Sequence, residues 1–184
     1  MPITTLDAKT ALLILDLQKG IAGHPFLRSM NEMVEKANNL SRAFRARGHP
    51  VVIVVVDGIA PGRTDQPRRV LDLPDDFADL VPELDRQPDD IRITKKTPGA
   101  FARTGLEEKL TRLGVTQVVL IGVVTGTAVD STARQAYELG FNVTLPLDAM
   151  TDVSSESHEY AISKVFPRLG ETGSTQDVLD LLAQ

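Results

Sequence analysis

Three polar residues stand where apolar strands are predicted to end. Asp16 closes the run "TALLILD", Lys95 closes "IRITK", and Thr125 follows "QVVLIGVV". Because ligands bind at the carboxyl ends of the strands in an open parallel sheet, we expect these side chains to surround one crevice. A carboxylate at the end of a buried strand is costly unless it is paired or takes part in chemistry, and proton transfer is the chemistry it does best.

Each of these residues also has a purely structural interpretation. Asp16 can cap a helix or a turn, and Thr125 can cap the helix that follows it. Lys95 and its neighbour Lys96 can form a solvated pair on the surface. Asp57 closes a further strand, but a glycine follows it, and this pair is typical of a turn. On the residues alone, these alternatives stay open.

The remaining candidates for chemistry are weak. The three histidines (His24, His49 and His158) are scattered and lack the spacing of metal ligands. His49 is predicted to be structural, and His158 is predicted to lie on a helix face opposite the core stripe. The chain has no P-loop, no GxGxxG after its first strand and no GxSxG elbow. We therefore predict no cofactor, no metal and no serine-hydrolase triad.

Composition limits the partners and the compartment. The net charge of −5 makes a phosphate backbone or an anionic membrane an unsuitable partner, so we expect neither nucleic acid nor membrane binding. The chain has no cysteine, which excludes disulfides and fits a reducing compartment. No basic stretch followed by an apolar run opens the chain, so a secretory signal is not expected. These features predict a cytoplasmic protein with a single domain over residues 1–184.

Apolar strands alternate with helices along the chain, which predicts an α/β protein with a parallel sheet covered on both faces. Helices are predicted at about 26–47, 104–114 and 127–139, with two more near the C-terminus. Thr104 and Glu107 have the spacing of a capping box. Residues 58–90 are rich in Pro, Asp and Arg and are predicted to form a long surface excursion, either a functional loop or solvated filler.

Three motifs resemble those of the isochorismatase-like hydrolase superfamily, which includes nicotinamidases and N-carbamoylsarcosine amidases. "ALLILDLQ" resembles its first-strand motif, which ends in a catalytic aspartate, here Asp16. "TKKTPGAF" resembles its lysine motif, and the spacing selects Lys95. "GVVTGTAVDSTARQAYELGFNVTLPLDAMTD" resembles the signature that usually holds a cysteine. The resemblance implies a three-layer α/β/α Rossmann-like fold with a mainly parallel sheet of about six strands.

The same resemblance implies the site. In the amidase branch a cysteine attacks the amide carbonyl, the aspartate is the base and the lysine stabilises charge; the position of that cysteine holds Ala128. A cis peptide is implied at Val123–Val124. The family's acidic and histidine metal cluster is missing, because "DGIAPGRTD" contains no histidine. The turn residues assigned to oxyanion binding are Val124, Thr125 and Thr127, and those assigned to substrate binding are Gln18, Phe101 and Gly126.

A methyl group cannot be a nucleophile, so three hypotheses follow from Ala128. The first is a cysteine-free hydrolase of a small metabolite, with Asp16 as general acid/base and Lys95 as its electrostatic partner. Isochorismatases, which split a vinyl ether without a covalent intermediate, supply its precedent. The second is a cysteine amidohydrolase whose nucleophile has been replaced by alanine. The third is a lapsed enzyme that binds a small molecule or serves as an oligomeric scaffold. A homo-oligomer, a dimer or larger, is expected in each case.

Overall fold

The computed structural model describes residues 3–65 and 73–184. These residues form seven strands: β1 (Thr10–Leu15), β2 (Val51–Val56), β3 (Ile91–Lys95), β4 (Gln117–Val123), β5 (Asn142–Pro146), β6 (Met150–Thr151) and β7 (Glu171–Gly173). Six of them lie side by side in one sheet in the order β3-β2-β1-β4-β5-β7, and every strand pair is parallel. The seventh, β6, pairs with the end of β4, beyond the last β4 residue that pairs with β5.

Helices cover both faces of the sheet. Side chains of β1 alternate between two apolar cores: Leu13 and Leu15 belong to one, and Leu12 and Ile14 belong to the other. Helices α3 and α4 complete the first core, and α2 and α6 complete the second. The helices are α1 (Lys19–Ala22), α2 (Met30–Ala46), α3 (Leu106–Arg112), α4 (Asp130–Glu138), α5 (Ser155–Tyr160) and α6 (Thr175–Ala183).

This architecture confirms the predicted three-layer α/β/α fold. The resemblance implied about six strands, and the described residues form seven, of which the two-residue β6 had no counterpart among the predicted strands. A strand of two residues is too short to produce a hydrophobic pattern, so no local pattern predicted it. Within the described ranges, no helix combines the length and the hydrophobicity that a membrane span requires.

Three helix starts differ from the predictions. The helix expected from about residue 127 becomes a regular α-helix at Asp130, after a π-helical turn over Thr125–Val129. The helix expected from about residue 26 begins at Met30, because the Ser29 hydroxyl accepts a hydrogen bond from the Glu32 N–H at 3.2 Å and caps it there. The capping box expected at Thr104 is wrong. Gly105, in a left-handed conformation, precedes α3. The Thr104 hydroxyl accepts the N–H of Leu106 at 3.3 Å, not that of Glu107 as a capping box requires, and it donates to the Ala100 carbonyl at 2.6 Å.

The long connection between β2 and β3 is only partly the surface excursion that was predicted. Residues 66–72 lie outside the described part of the chain. Residues 57–65 are mostly exposed, but Leu80, Val81 and Leu84 are buried in the core beneath α2. Leu80 also forms an antiparallel bridge with Gln18. The second half of this connection is therefore attached to the segment that follows the carboxyl end of β1.

Candidate functional site

Asp16 and Lys95 meet in a buried ion pair. Lys95 Nζ lies 2.8 Å from Asp16 Oδ2, although their strands are separated by β2. Lys95 ends the edge strand β3, whose residues alternate so that Ile93 and Lys95 point inward while Lys96 is exposed. The predicted contact between Asp16 and Lys95 is thereby confirmed, and the strand period explains why the first lysine of the pair makes it.

The Asp16 carboxyl is held in an unusual electrostatic state. The residue is 3 % exposed, and its backbone has a φ of +58°, which is rare outside glycine. Burial raises the pKa of Asp16 from 3.8 to about 6, and the nearby Lys95 opposes that rise. Oδ1 of Asp16 is buried and has no hydrogen-bond partner among the described residues. One oxygen is thus held by Lys95, and the other remains able to exchange a proton.

The sharp turn after β4 brings a second group of residues to the same sheet edge. The peptide between Val123 and Val124 is cis, as predicted. Thr125–Val129 then forms a single π-helical turn that leads directly into α4. Ala128 lies in this turn and is 3 % exposed, and its carbonyl accepts a hydrogen bond from the Thr132 hydroxyl at 2.7 Å. The position assigned to a nucleophile therefore holds a buried methyl group.

Gly122 allows this turn to lie close to Asp16. Gly122 pairs with Leu15, the residue that precedes Asp16, and its φ of +114° is accessible mainly to glycine. A Cβ atom at this position would collide with the Leu15 carbonyl oxygen. The ends of β1 and β4 consequently approach each other more closely than side chains would permit.

The first two residues of the turn have partners that the sequence did not reveal. The Thr125 hydroxyl lies 2.9 Å from Nδ1 of His158, and the Gly126 N–H donates to Asp152 Oδ2 at 2.8 Å. The prediction that His158 lies away from the core is wrong, since it is 8 % exposed. A signal was available: His158 shares one face of a helical repeat with Ala161 and Val165, three and seven residues later.

The residues assigned to oxyanion binding have mixed surroundings. Val124 is half-buried, Thr125 is fully buried, and Thr127 is exposed. The Thr127 N–H donates to the Val124 carbonyl at 3.1 Å, and the Gly126 N–H is taken by Asp152. An oxyanion-binding role for the turn stays a prediction.

Two residues assigned to substrate binding have structural contacts. The Gln18 side chain is fully buried; its Nε2 donates to the Val56 and Phe77 carbonyls, and its Oε1 accepts from the Val56 N–H. The Phe101 ring packs 5.7 Å from the ring of Phe141, centroid to centroid. Gln18 therefore ties the loop around Phe77 to the end of β2, while substrate contact by either residue stays a prediction.

The residues after β2 do not fit the metal site of the metal-binding relatives. That segment supplies Asp57 and Asp65 but no histidine. Across residues 3–65 and 73–184, no cluster of three or more His, Asp or Glu side chains has the geometry to hold a metal ion.

Comparison with known proteins agrees with the geometry. The isochorismatase domain model matches residues 10–177. The uncharacterized isochorismatase family protein YecD of Escherichia coli O157:H7 is 38% identical over 96% of this chain and 98% of its own. YwoC of Bacillus subtilis, with the same description, is 38% identical over 94% of this chain and 93% of its own.

A solved structure extends the similarity to three dimensions. An isochorismatase family protein from Burkholderia thailandensis superposes with a TM-score of 0.93 at 36% identity, covering 98% of both chains. The fold and the site described above thus occur in a chain that matches members of one family over nearly its whole length. The chain belongs to the isochorismatase family of hydrolases.

Proposed function

We propose that the protein is a cysteine-free hydrolase of a small metabolite, in which Asp16 is the general acid/base and Lys95 is its electrostatic partner. The observation that carries this proposal is that the two oxygens of the Asp16 carboxyl group differ: Oδ2 binds Lys95, whereas Oδ1 is buried and unpaired among the described residues. With a methyl group at position 128, Asp16 is the residue equipped to start the reaction.

Hydrolysis of a vinyl ether matches this equipment. The protonated Asp16 carboxyl donates its proton to the terminal methylene carbon of the vinyl ether, which leaves a cationic ether carbon and an Asp16 carboxylate. Water adds to that carbon and returns a proton to Asp16. The resulting hemiketal collapses to an alcohol and a ketone, so no covalent intermediate with the protein is needed. Lys95 orients the carboxyl group and stabilises its anionic form.

The alternatives have less support. A scaffold or simple binder has no need of a buried lysine 2.8 Å from a buried carboxylate, because such a pair carries a desolvation penalty that apolar residues avoid. An amidohydrolase that has lost its cysteine is favoured by one observation: Ala128 lies in the turn between β4 and α4, where the resemblance places that cysteine. The two enzyme hypotheses differ in what a thiol at position 128 would do.

The proposal extends to the domain organisation, the location and the partners of the protein. We expect one hydrolase domain over residues 1–184, in the cytoplasm, acting on a small molecule without a cofactor. The net charge of −5 supports the expectation that neither nucleic acid nor a membrane is a partner. A homo-oligomer, a dimer or larger, stays a prediction that light scattering on the purified protein would check.

The dependence of the rate on pH tests the role of Asp16. A general acid must carry its proton, so kcat/KM should be highest below the pKa of Asp16, which is about 6. Above that pH, it should fall about tenfold per unit, because the protonated fraction of a single carboxyl falls by that factor. The measurement is pyruvate release from isochorismate, a vinyl ether, across the stability range of the protein.

Lys95→Met provides the complementary test. Lys95 lowers the pKa of Asp16, so its removal should move the falling limb to higher pH. The matched control is Lys96→Met, since Lys96 is the exposed neighbour and should leave the limb in place. A wild-type profile that rises through pH 6, or a Lys95→Met limb that moves to lower pH, would contradict acid catalysis by Asp16.

A further inference from the structure

We propose that His158 is a positioning residue for the reaction, acting through Thr125 on the turn that carries Ala128. This inference rests on the proposed function, because it assumes that this turn forms a wall of the reaction site. His158 has no part in the proton transfers assigned to Asp16. It is nevertheless a buried polar side chain whose described hydrogen-bond partner is the first residue of the turn.

The contact between His158 and Thr125 lies at the start of the turn that carries Ala128. Thr125 directly follows the residue at the end of the cis peptide and opens the π-helical turn, with Ala128 three residues further on. Both His158 and Thr125 are buried, and Nδ1 lies 2.9 Å from the hydroxyl oxygen. With the ring proton on Nε2, the hydroxyl donates to Nδ1; with the proton on Nδ1, the ring donates to the hydroxyl. Either tautomer fixes the rotamer of Thr125.

The same segment holds the next residue of the turn. Asp152 Oδ2 accepts the Gly126 N–H at 2.8 Å, and its other oxygen accepts the Ser154 N–H at 3.0 Å. A Cβ atom on Gly126 would collide with the Ser157 hydroxyl, so the turn lies directly against α5. Residues 152–158 therefore hold two successive residues of the turn by side-chain contacts.

This arrangement serves orientation better than it serves stability. A pair of apolar side chains of similar volume would fill the same space, and replacing both partners of a buried hydrogen bond is often nearly neutral for folding. A hydrogen-bonded pair adds direction, because it is satisfied in one relative placement of α5 and the turn. The turn starts three residues after Gly122, which pairs with Leu15, the residue before Asp16. A small shift of the turn would thus change the space beside the Asp16 carboxyl.

The test is a double-mutant cycle with isochorismate as the probe. His158→Leu and Thr125→Val should each reduce kcat by about 10- to 100-fold with little change in KM, the size expected from misplacing reacting groups by about 1 Å. The double variant should be no slower than the slower single variant, because the two single substitutions remove the same contact. His158→Asn, which keeps a nitrogen near the place of Nδ1, should recover part of the loss. His49→Leu is the control, since His49 precedes the amino-terminal end of β2, at the end of the sheet opposite to the site.

A readout that needs no turnover separates this inference from the proposed function. In folded His158→Leu, the amide NMR signals of Gly126 and Ala128 should shift, while those of the β1 strand stay near their wild-type positions. If the wild type releases no pyruvate, the proposed reaction is wrong and the amide signals alone decide whether His158 places the turn.

Several results would overturn the positioning role. They are unchanged turn signals, an unchanged kcat in folded His158→Leu, additive losses in the cycle, or no recovery with His158→Asn. If His158→Leu does not fold, Thr125→Val and His158→Asn carry the same comparison. Equal kinetics for these two variants and the wild type would then reject the role.

Discussion

Replacement of Asp16 by asparagine is expected to abolish turnover. Asparagine has nearly the same shape but cannot deliver a proton, and general acid catalysis by a positioned side chain contributes about 10²- to 10⁴-fold. The loss should appear in kcat, measured as pyruvate released from isochorismate at pH 6, at a temperature where the variant is folded. Asp57→Asn is the matched control, because Asp57 is an exposed carboxylate that follows the neighbouring strand β2. Turnover near the wild-type level in Asp16→Asn would remove Asp16 from the mechanism.

The same substitution is expected to cost stability. Asp16→Asn leaves the Lys95 ammonium, which is 2 % exposed, without its counter-charge. Breaking a buried ion pair in this way lowers the free energy of unfolding by about 3–5 kcal/mol. Lys95→Met should cost much less, because the remaining Asp16 carboxyl has a pKa already raised to about 6 and can take up a proton. The measurement is urea unfolding of each variant at pH 7.

The double variant Asp16→Asn/Lys95→Met makes the stability prediction specific. It removes the stranded charge, so it should be more stable than Asp16→Asn alone. A double variant that is less stable than either single variant would show that the two residues stabilise the fold through contacts other than their charges.

The pH dependence of wild-type stability has a defined sign. The pKa of Asp16 is higher in the folded chain than its usual value of 3.8, so the folded state binds the proton more tightly than the unfolded state. The contribution of Asp16 to the free energy of unfolding therefore rises as pH falls from about 6 towards 3.8. The acid form that the proposed chemistry requires is also the form that folding favours.

Sequence patterns were sufficient to predict where Asp16 and Lys95 lie in the fold. The run before Asp16 and the alternation of β3 are local features, and parallel topology brings their ends to one edge. The contacts between distant segments were not predictable in this way. The partnership of His158 with Thr125 and of Asp152 with Gly126 depends on how α5 lies against the turn. No single window of sequence contains both members of such a pair.

The errors at helix starts have a related origin. Thr104 has the right spacing to Glu107 for a capping box, but its hydroxyl accepts the N–H of Leu106, at 3.3 Å, rather than that of Glu107, and donates to the Ala100 carbonyl. Spacing identifies residues that can cap a helix, whereas the path of the preceding loop decides which of them do so. Ser29, whose hydroxyl meets the Glu32 N–H, caps α2 where the sequence pattern suggested an earlier start.

The identity of residue 128 separates the proposed reaction from its main competitor. A thiol at this position would lie in the turn that leads into α4, beyond the carboxyl ends of the strands where Asp16 also lies, at the position where the resemblance places an amidase nucleophile. If Asp16 is a general acid for vinyl ether hydrolysis, that thiol has no role in the reaction. If the chain is an amidase without its cysteine, the thiol restores the missing nucleophile.

The decisive measurement is therefore a comparison of wild type and Ala128→Cys, each assayed for pyruvate release from isochorismate and for ammonia release from nicotinamide and related amides. We expect that the wild type releases pyruvate, that Ala128→Cys does so at the same rate or more slowly, and that neither releases ammonia. Ammonia release by Ala128→Cys, with no pyruvate release by the wild type, would contradict cysteine-free catalysis by Asp16.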